Sequence, residues 1–185
     1  LTPGLIMEDH SFELHAFPVP HRGTSSFGFI FAEKTRRPFL AEKASDLGVP
    51  IGPQRRNLVL GKSVTLSNGQ NVNPDDVLGP PRAGAKLVHV GDASHVDDIV
   101  DFCQGADALV VESTYLEREH ELASRFGHLT AHQAATLAVT ANVRKLYLTH
   151  LSRRYREREV LAEAQEVFRE VSVARDFDRF LVKRS

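Results

Sequence analysis

The chain has 185 residues, of which 42% are hydrophobic, and its formal net charge at pH 7 is −1. This length and composition fit one globular domain with a sizeable core, and the near-neutral charge gives no global argument for a nucleic-acid partner. No apolar run approaches the roughly 20 residues of a spanning helix, so we expect a cytoplasmic protein with no membrane partner.

Cysteine and histidine content narrows the chemistry further. Cys103 is the only cysteine, which excludes an internal disulfide, and its apolar neighbours favour a buried side chain over a nucleophile. The nine histidines raise the expectation of a metal or acid–base site without locating it. The chain begins at Leu1 and not at Met, which favours a processed or truncated product.

The first part of the chain predicts two strands and a loop. Residues 12–17 alternate apolar and polar side chains, and residues 27–32 form a second apolar run. Residues 18–26 are rich in Pro, Gly and Ser and are the predicted loop between these strands. His21 lies in this predicted loop.

Residues 38–81 have an irregular pattern. A short helix is predicted over 41–47, and Ser67-Asn68-Gly69 predicts a hairpin turn between two short strands. We interpret 38–81 as an irregular insertion within a single, partial domain that spans 1–185.

From Lys86 onward, β-like and α-like patterns alternate, which predicts parallel strands with helical crossovers. Ser94 with Asp97, and Thr130 with Gln133, have the spacing of helix caps, and the second cap places His128 just ahead of a helix. A last packing helix is predicted over 157–170 and a final edge strand over 177–182.

Three of the predicted strands end next to a group that handles protons or metals. The apolar runs 86–90, 108–111 and 145–149 are followed by Asp92, Glu112 and His150. Taken singly, each is more typical of a strand that ends in water. Because ligand sites of open α/β sheets lie outside the carboxyl ends of their strands, the three together favour a shared site.

The residue types at these positions suit a metal site with an acid–base pair. Imidazole nitrogen and carboxylate oxygen are zinc ligand atoms, and His21, Asp92 and His150 supply them, although their spacing alone is weakly specific. His128 is a candidate proton donor whose second ring nitrogen Glu112 would hold.

Five blocks of sequence, in order over about residues 14–156, resemble ribonuclease Z, the family of tRNA 3′-processing endonucleases with the metallo-β-lactamase fold. The blocks are AFPVPH at 16–21 with SFGF at 26–29, GD at 91–92, EST at 112–114, GHLTA at 127–131 and LTHLSRRY at 148–155. The resemblance implies an α/β fold, a metallo-β-lactamase-like αββα sandwich, of which this chain supplies mainly the C-terminal half.

The resemblance also implies roles for the metal ligands. His21 would ligate one zinc ion, Asp92 would bridge two, and His150 would ligate the other, with other divalent metals possible in place of zinc. The implied substrate is precursor tRNA, from which metal-hydroxide attack on a phosphodiester removes the 3′ trailer, and the implied assembly is a homodimer.

Four further residues match the family's functional positions. Glu112 and His128 match its acid–base pair, with His128 protonating the departing oxygen. Ser152 and Arg154 match a motif near the substrate phosphates, where a guanidinium can hold a phosphate with two hydrogen bonds, and a purely structural role is equally open for both.

Two departures from the family pattern limit what we expect of this chain alone. Ala93 stands where the family has Thr, and the H-x-H-x-D-H block that supplies four zinc ligands is absent. With about two protein ligands per ion, the chain alone should bind zinc poorly, as a fragment of a longer enzyme would. The alternatives are a hydrolase of small phosphodiesters or sulfate esters with the same fold, and a non-catalytic half-domain.

Overall fold

The computed structural model describes residues 1–184, leaving out the side chains of Thr24 and Ser25. Its strands are β1 (Gly4–Glu8), β2 (Phe12–His21), β3 (Thr24–Glu33), β4 (Val64–Thr65), β5 (Asn71–Val72), β6 (Lys86–His89), β7 (Ala108–Glu112), β8 (Leu146–Thr149) and β9 (Val171–Val173). Its α-helices are α1 (Ala41–Asp46), α2 (Pro53–Val59), α3 (Pro74–Val77), α4 (Val100–Cys103), α5 (His120–Phe126), α6 (Ala131–Thr140) and α7 (Glu157–Val167). Two short 3₁₀ helices cover Asp97–Ile99 and Glu117–Glu119.

The chain divides into two compact units. Unit 1 joins Leu1–Lys34 to the chain from Ala85 onward, and unit 2 is Thr35–Gly84. Residues 38–81 fall inside unit 2, and their interpretation as an insertion within a single domain stays a prediction. None of the helices that the structure describes has the length and apolar composition needed to cross a bilayer.

Unit 1 is built on a seven-stranded sheet in the order β1-β2-β3-β6-β7-β8-β9. The pairs from β1 to β6 are antiparallel, and β6, β7, β8 and β9 are parallel to one another. Two successive antiparallel pairs separate β2 from β6, so β2 runs in the same direction as the parallel strands. The carboxyl ends of β2, β6, β7 and β8 therefore meet at one edge of the sheet.

The predicted loop over 18–26 is wrong, because β2 and β3 continue through it to a two-residue turn. His21 pairs with Thr24, and Arg22 and Gly23 form the turn with positive φ values of 44° and 71°. Pro18 and Pro20 fit inside β2 because they lie beyond Ala16, the last residue of β2 that pairs with β1. Proline has no N–H group to donate, but β1 does not extend alongside these two residues, so no hydrogen bond between β1 and β2 is lost.

Helices packed on the parallel strands bury the core of unit 1. Leu109 of β7 and Leu146 of β8 are fully buried in one cluster with Leu137 of α6 and Val160 of α7. Cys103 belongs to the same cluster and is fully buried, as predicted.

The predicted helix starts and chain end are partly confirmed. Thr130 and Gln133 form the capping box of α6, as predicted. Ser94 caps no helix: its hydroxyl accepts the N–H of Arg22 at 3.2 Å, and the helical turn begins after Val96. The predicted final strand over 177–182 is wrong: these residues form no strand, and the sheet ends at β9, which pairs with β8.

Unit 2 consists of three short helices and the β4–β5 hairpin around its own core. Leu58, Val77 and Val49 are buried there. The hairpin turns at the predicted Ser67-Asn68-Gly69, and the predicted helix over 41–47 is α1.

Candidate active site

Five side chains named in the sequence analysis come together at the carboxyl edge of the sheet in unit 1. His21 is the last residue of β2, Glu112 is the last residue of β7, and His150 directly follows β8. Asp92 lies in the loop after β6, and His128 follows α5 through Gly127. The ring of His128 lies between two of the others, with centroid distances of 5.5 Å to His21 and 5.2 Å to His150.

Glu112 is the buried anchor of this cluster, with 1% of its surface exposed. Its Oε1 accepts the N–H of Ala93 at 2.9 Å and contacts Nδ1 of His128 at 2.9 Å. Its Oε2 accepts the N–H of Thr114 at 3.3 Å and the hydroxyl of Thr114 at 2.5 Å. Both oxygens are therefore occupied by protein donors, which fixes the carboxylate and leaves it no position for an ion.

The contact with Glu112 orients His128. Because the carboxylate oxygen is an acceptor, we assign the hydrogen of this bond to Nδ1, which leaves Nε2 to exchange a proton. The side chain of His128 is 16% exposed, so one ring edge reaches the surface while the other is held inside. A histidine held in this way is suited to general acid–base chemistry.

Ala93 contributes to the same arrangement through its backbone. Its side chain is fully buried, and its N–H is one of the donors to Glu112. This bond uses a backbone donor, so the alanine that stands in place of the family's threonine does not affect it.

Asp92, His128 and His150 form a group that can hold a metal ion. One ligand atom of each lies within 4.8 Å of the others, and Oδ1 of Asp92 is 3.4 Å from Nδ1 of His150. His150 has a φ of +53°, a backbone conformation that is uncommon outside glycine and is often found at functional sites.

His21 lies beside this group without belonging to it. Its Nδ1 is 2.9 Å from the carbonyl oxygen of Gly127, and we assign it as the donor to that oxygen. A metal-binding histidine typically donates one ring nitrogen to a carbonyl and binds with the other. The predicted ligands are His21, Asp92 and His150. The group that the structure brings together shares Asp92 and His150 with this set and has His128 in place of His21.

Ser152 and Arg154 lie on the loop after β8, outside the hydrogen bonds and ion pairs that join the cluster in the described part of the chain. The Arg154 guanidinium pairs with Glu119 at 2.5 Å, and the Ser152 hydroxyl accepts the N–H of Arg154 at 3.3 Å. The predicted phosphate ligand is therefore held by an acidic side chain in this structure.

Comparison with known families assigns the fold. Residues 59–151, half of the chain, match the family model described as the beta-lactamase superfamily domain. The chain belongs to the beta-lactamase superfamily. The predicted metallo-β-lactamase fold is therefore confirmed.

Curated relatives of this chain are named ribonuclease Z, the family that its sequence blocks resemble. Ribonuclease Z of Bradyrhizobium sp. (strain ORS 278) is 47% identical over 182 residues, which are 98% of this chain and 60% of the relative. Ribonuclease Z of Bradyrhizobium diazoefficiens is 42% identical over the same shares of both chains. The resemblance to ribonuclease Z is confirmed, and the chain spans about three fifths of the length of these relatives.

A solved structure gives the same result. The short form of human tRNase Z is 25% identical with a TM-score of 0.59, over 97% of this chain and 47% of that chain. This chain therefore shares its fold with about half of that structure.

Thr114 is the residue of the site that sequence reasoning missed. It was part of the EST block but was given no role, and the structure places its hydroxyl against both Glu112 and His150. The only signal in the sequence was its position two residues after Glu112, at the end of a strand.

Proposed function

We propose that this chain is part of a zinc-dependent endoribonuclease that removes the 3′ trailer from precursor tRNA. The observation that carries the proposal is the buried Glu112–His128 pair next to the carboxylate of Asp92 and the imidazole of His150. The ribonuclease Z relatives support the substrate class.

The donor atoms fit a divalent metal. Asp92 would hold the metal through its carboxylate, and His21 and His150 would hold it through imidazole nitrogens, the ligand atoms that zinc prefers. When bound, zinc supplies a Lewis acid and lowers the pKa of a water molecule, so that hydroxide is available at neutral pH. Other divalent metals with the same preferences remain part of the proposal.

The chain's own residues would handle the proton on the leaving side. His128 would protonate the departing 3′ oxygen of the tRNA from Nε2, while Glu112 stabilises the charged ring through Nδ1. The products are a tRNA that ends in a 3′ hydroxyl and a trailer that begins with a 5′ phosphate. Because Glu112 is fully hydrogen-bonded, it orients His128 without competing for the metal.

Arg154 and Ser152 are proposed substrate contacts. A guanidinium can grip a phosphate with two hydrogen bonds, and Arg154 would do so by exchanging the Glu119 carboxylate for a phosphate oxygen. The side chain of Arg154 is 55% exposed and that of Glu119 is 25% exposed, so solvent partly screens the pair that this exchange would break.

A complete coordination shell requires more ligands than His21, Asp92 and His150 offer. Catalytic zinc takes about three protein ligands plus water, whereas two ions sharing Asp92 would receive about two each from His21, Asp92 and His150. We therefore place the other ligands in the part of the relatives' length that the chain does not span. A homodimer stays a prediction from the family resemblance.

Substitution of His128 in the enzyme extended to the relatives' full length tests the proposal. His128→Ala should abolish cleavage of precursor tRNA while the zinc content stays at the wild-type value. His132→Ala, which changes an exposed histidine of α6, is the matched control and should leave cleavage unchanged. Loss of zinc together with activity would instead make His128 a metal ligand, as its place in the geometric group allows.

Substrate choice tests the remaining part of the proposal. Cleavage of a small chromogenic phosphodiester without cleavage of precursor tRNA would favour the small-substrate alternative. An extended enzyme that binds zinc and cleaves neither would favour a non-catalytic domain.

A further inference from the structure

The hydroxyl of Thr114 connects the two halves of the candidate site. Its Oγ1 lies 2.5 Å from Oε2 of Glu112, 2.9 Å from Nδ1 of His150 and 3.0 Å from the carbonyl oxygen of His150. The residue is buried at 9% exposure, so water does not readily replace these contacts. Thr114 therefore contacts both the partner of His128 and a proposed metal ligand.

One hydroxyl hydrogen has to be shared among these neighbours. A hydroxyl has a single hydrogen but two lone pairs. Both oxygens of Glu112 already accept backbone N–H groups, so the Glu112 carboxyl is on the accepting side of its contact with Thr114. The contact of 2.5 Å has the length of a charge-assisted O–H···O bond and is shorter than the 3.0 Å contact with the carbonyl oxygen of His150, so we assign the hydrogen to Glu112.

That assignment fixes the role of the His150 ring. With its hydrogen directed to Glu112, Oγ1 of Thr114 can only accept from Nδ1 of His150. Oδ1 of Asp92 lies 3.4 Å from the same nitrogen, an electrostatic contact that also favours a hydrogen there. The contact with Thr114 therefore places the hydrogen of the neutral ring on Nδ1, so the lone pair is on Nε2.

We propose that Thr114 is a positioning residue whose hydroxyl holds Nδ1 of His150 protonated, so that Nε2 is the nitrogen that binds a divalent metal. The proposal rests on the proposed function in one respect, the assignment of His150 as a metal ligand. It also links the two halves of the site, because the same hydroxyl donates to the carboxylate that orients His128.

Two substitutions separate the hydroxyl from the shape of the side chain. Thr114→Val keeps the volume and removes the hydroxyl, and Thr114→Ser keeps the hydroxyl and removes a methyl group. Thr136→Val is the matched control, because among the described residues the Thr136 hydroxyl bonds within α6, to the carbonyl oxygen of His132.

The first measurement is the tautomer of His150 in the metal-free chain. Long-range nitrogen–proton NMR spectra, recorded where the imidazole is neutral and assigned with His150→Gln, distinguish hydrogen on Nδ1 from hydrogen on Nε2. We expect the Nδ1–H form in the wild type, Thr114→Ser and Thr136→Val, and a shift toward the Nε2–H form in Thr114→Val.

The second measurement is zinc affinity in the extended enzyme, by competition with a chromogenic chelator. Partners that orient a metal-binding histidine are typically worth about 10- to 100-fold in metal affinity, and Thr114→Val should lose this amount. Thr114→Ser should recover most of the loss, which a role in packing alone would not predict.

The outcomes separate this proposal from the proposed function. A wild-type Nε2–H tautomer, or a Thr114→Val variant with unchanged tautomer and zinc affinity, overturns the role of Thr114. If circular dichroism shows that Thr114→Val does not fold, the tautomer of His150 in the wild type and in Thr114→Ser tests the role of Thr114 instead. An Nε2–H form in either protein would overturn it. If the expected tautomers are found but precursor tRNA is not cleaved, the role of Thr114 stands and only the proposed substrate is wrong.

Discussion

Gly127 lies where the end of α5 packs against the β2–β3 turn at Arg22 and against the loop at Ser94. Replacing it with alanine tests this close packing beside the candidate site. It ends α5 in the left-handed region with a φ of 69°, its carbonyl oxygen contacts Nδ1 of His21, and it precedes His128. A Cβ added at this position would lie 2.4 Å from Cγ of Arg22 and 3.0 Å from Oγ of Ser94. Gly127→Ala therefore adds backbone strain and a steric clash at the same point.

The two contributions can be estimated separately. A left-handed residue with a Cβ costs about 1–2 kcal/mol relative to glycine. Because the side chain of Arg22 is exposed, it can move away by leaving its preferred rotamer, at about 0.5–1.5 kcal/mol. The free energy of unfolding should thus fall by about 1.5–3.5 kcal/mol in Gly127→Ala.

A double-mutant cycle with Arg22→Ala isolates the clash. Arg22→Ala removes Cγ, so Gly127→Ala made on top of it should cost only the backbone contribution of about 1–2 kcal/mol. The assay is urea unfolding of all four proteins followed by far-ultraviolet circular dichroism. An equal cost of Gly127→Ala in both backgrounds would refute the clash, and a cost below about 0.5 kcal/mol would refute the left-handed strain.

Three other predictions concern residues around the site and in the core. Glu119→Gln should release Arg154 and lower the KM for precursor tRNA by about fivefold, since a partly exposed ion pair is worth about 1 kcal/mol; an unchanged KM would argue against Arg154 as a phosphate ligand. Burial raises the pKa of the Cys103 thiol to about 12, so this thiol should react with Ellman's reagent at pH 8 only after unfolding. The folded chain also keeps a proton that the unfolded thiol loses near its ordinary pKa of 9.0, so urea midpoints should fall as the pH rises above about 9, and a constant midpoint would contradict the buried position. Ser113→Ala should raise the free energy of unfolding by up to about 1 kcal/mol in urea titrations, because the buried Oγ of Ser113 has no hydrogen-bond partner in the described part of the chain; a loss of stability would show that this hydroxyl is bonded.

Local patterns in the sequence determined much of the sheet and one helix start. The apolar runs that form β6, β7 and β8 were predicted as parallel strands, and Thr130 with Gln133 marked the start of α6. Strand and cap signals depend on neighbouring residues in the chain, so sequence alone carries them. The same logic failed where a tertiary partner was decisive: the hydroxyl of Ser94 accepts a bond from Arg22, 72 positions away, and caps no helix.

Only the tertiary structure showed the contacts that orient the acid–base pair and the proposed metal ligands. The residue types of Glu112, His128 and His150 suited acid–base and metal chemistry, but their spacing does not say which atoms meet. Strand direction brings His21 to the same edge as His150, and burial forces Glu112 to satisfy both oxygens with protein donors. The place of Thr114 between two of these groups depends on the alignment of β7 with β8, a relation between distant parts of the chain that no local pattern encodes.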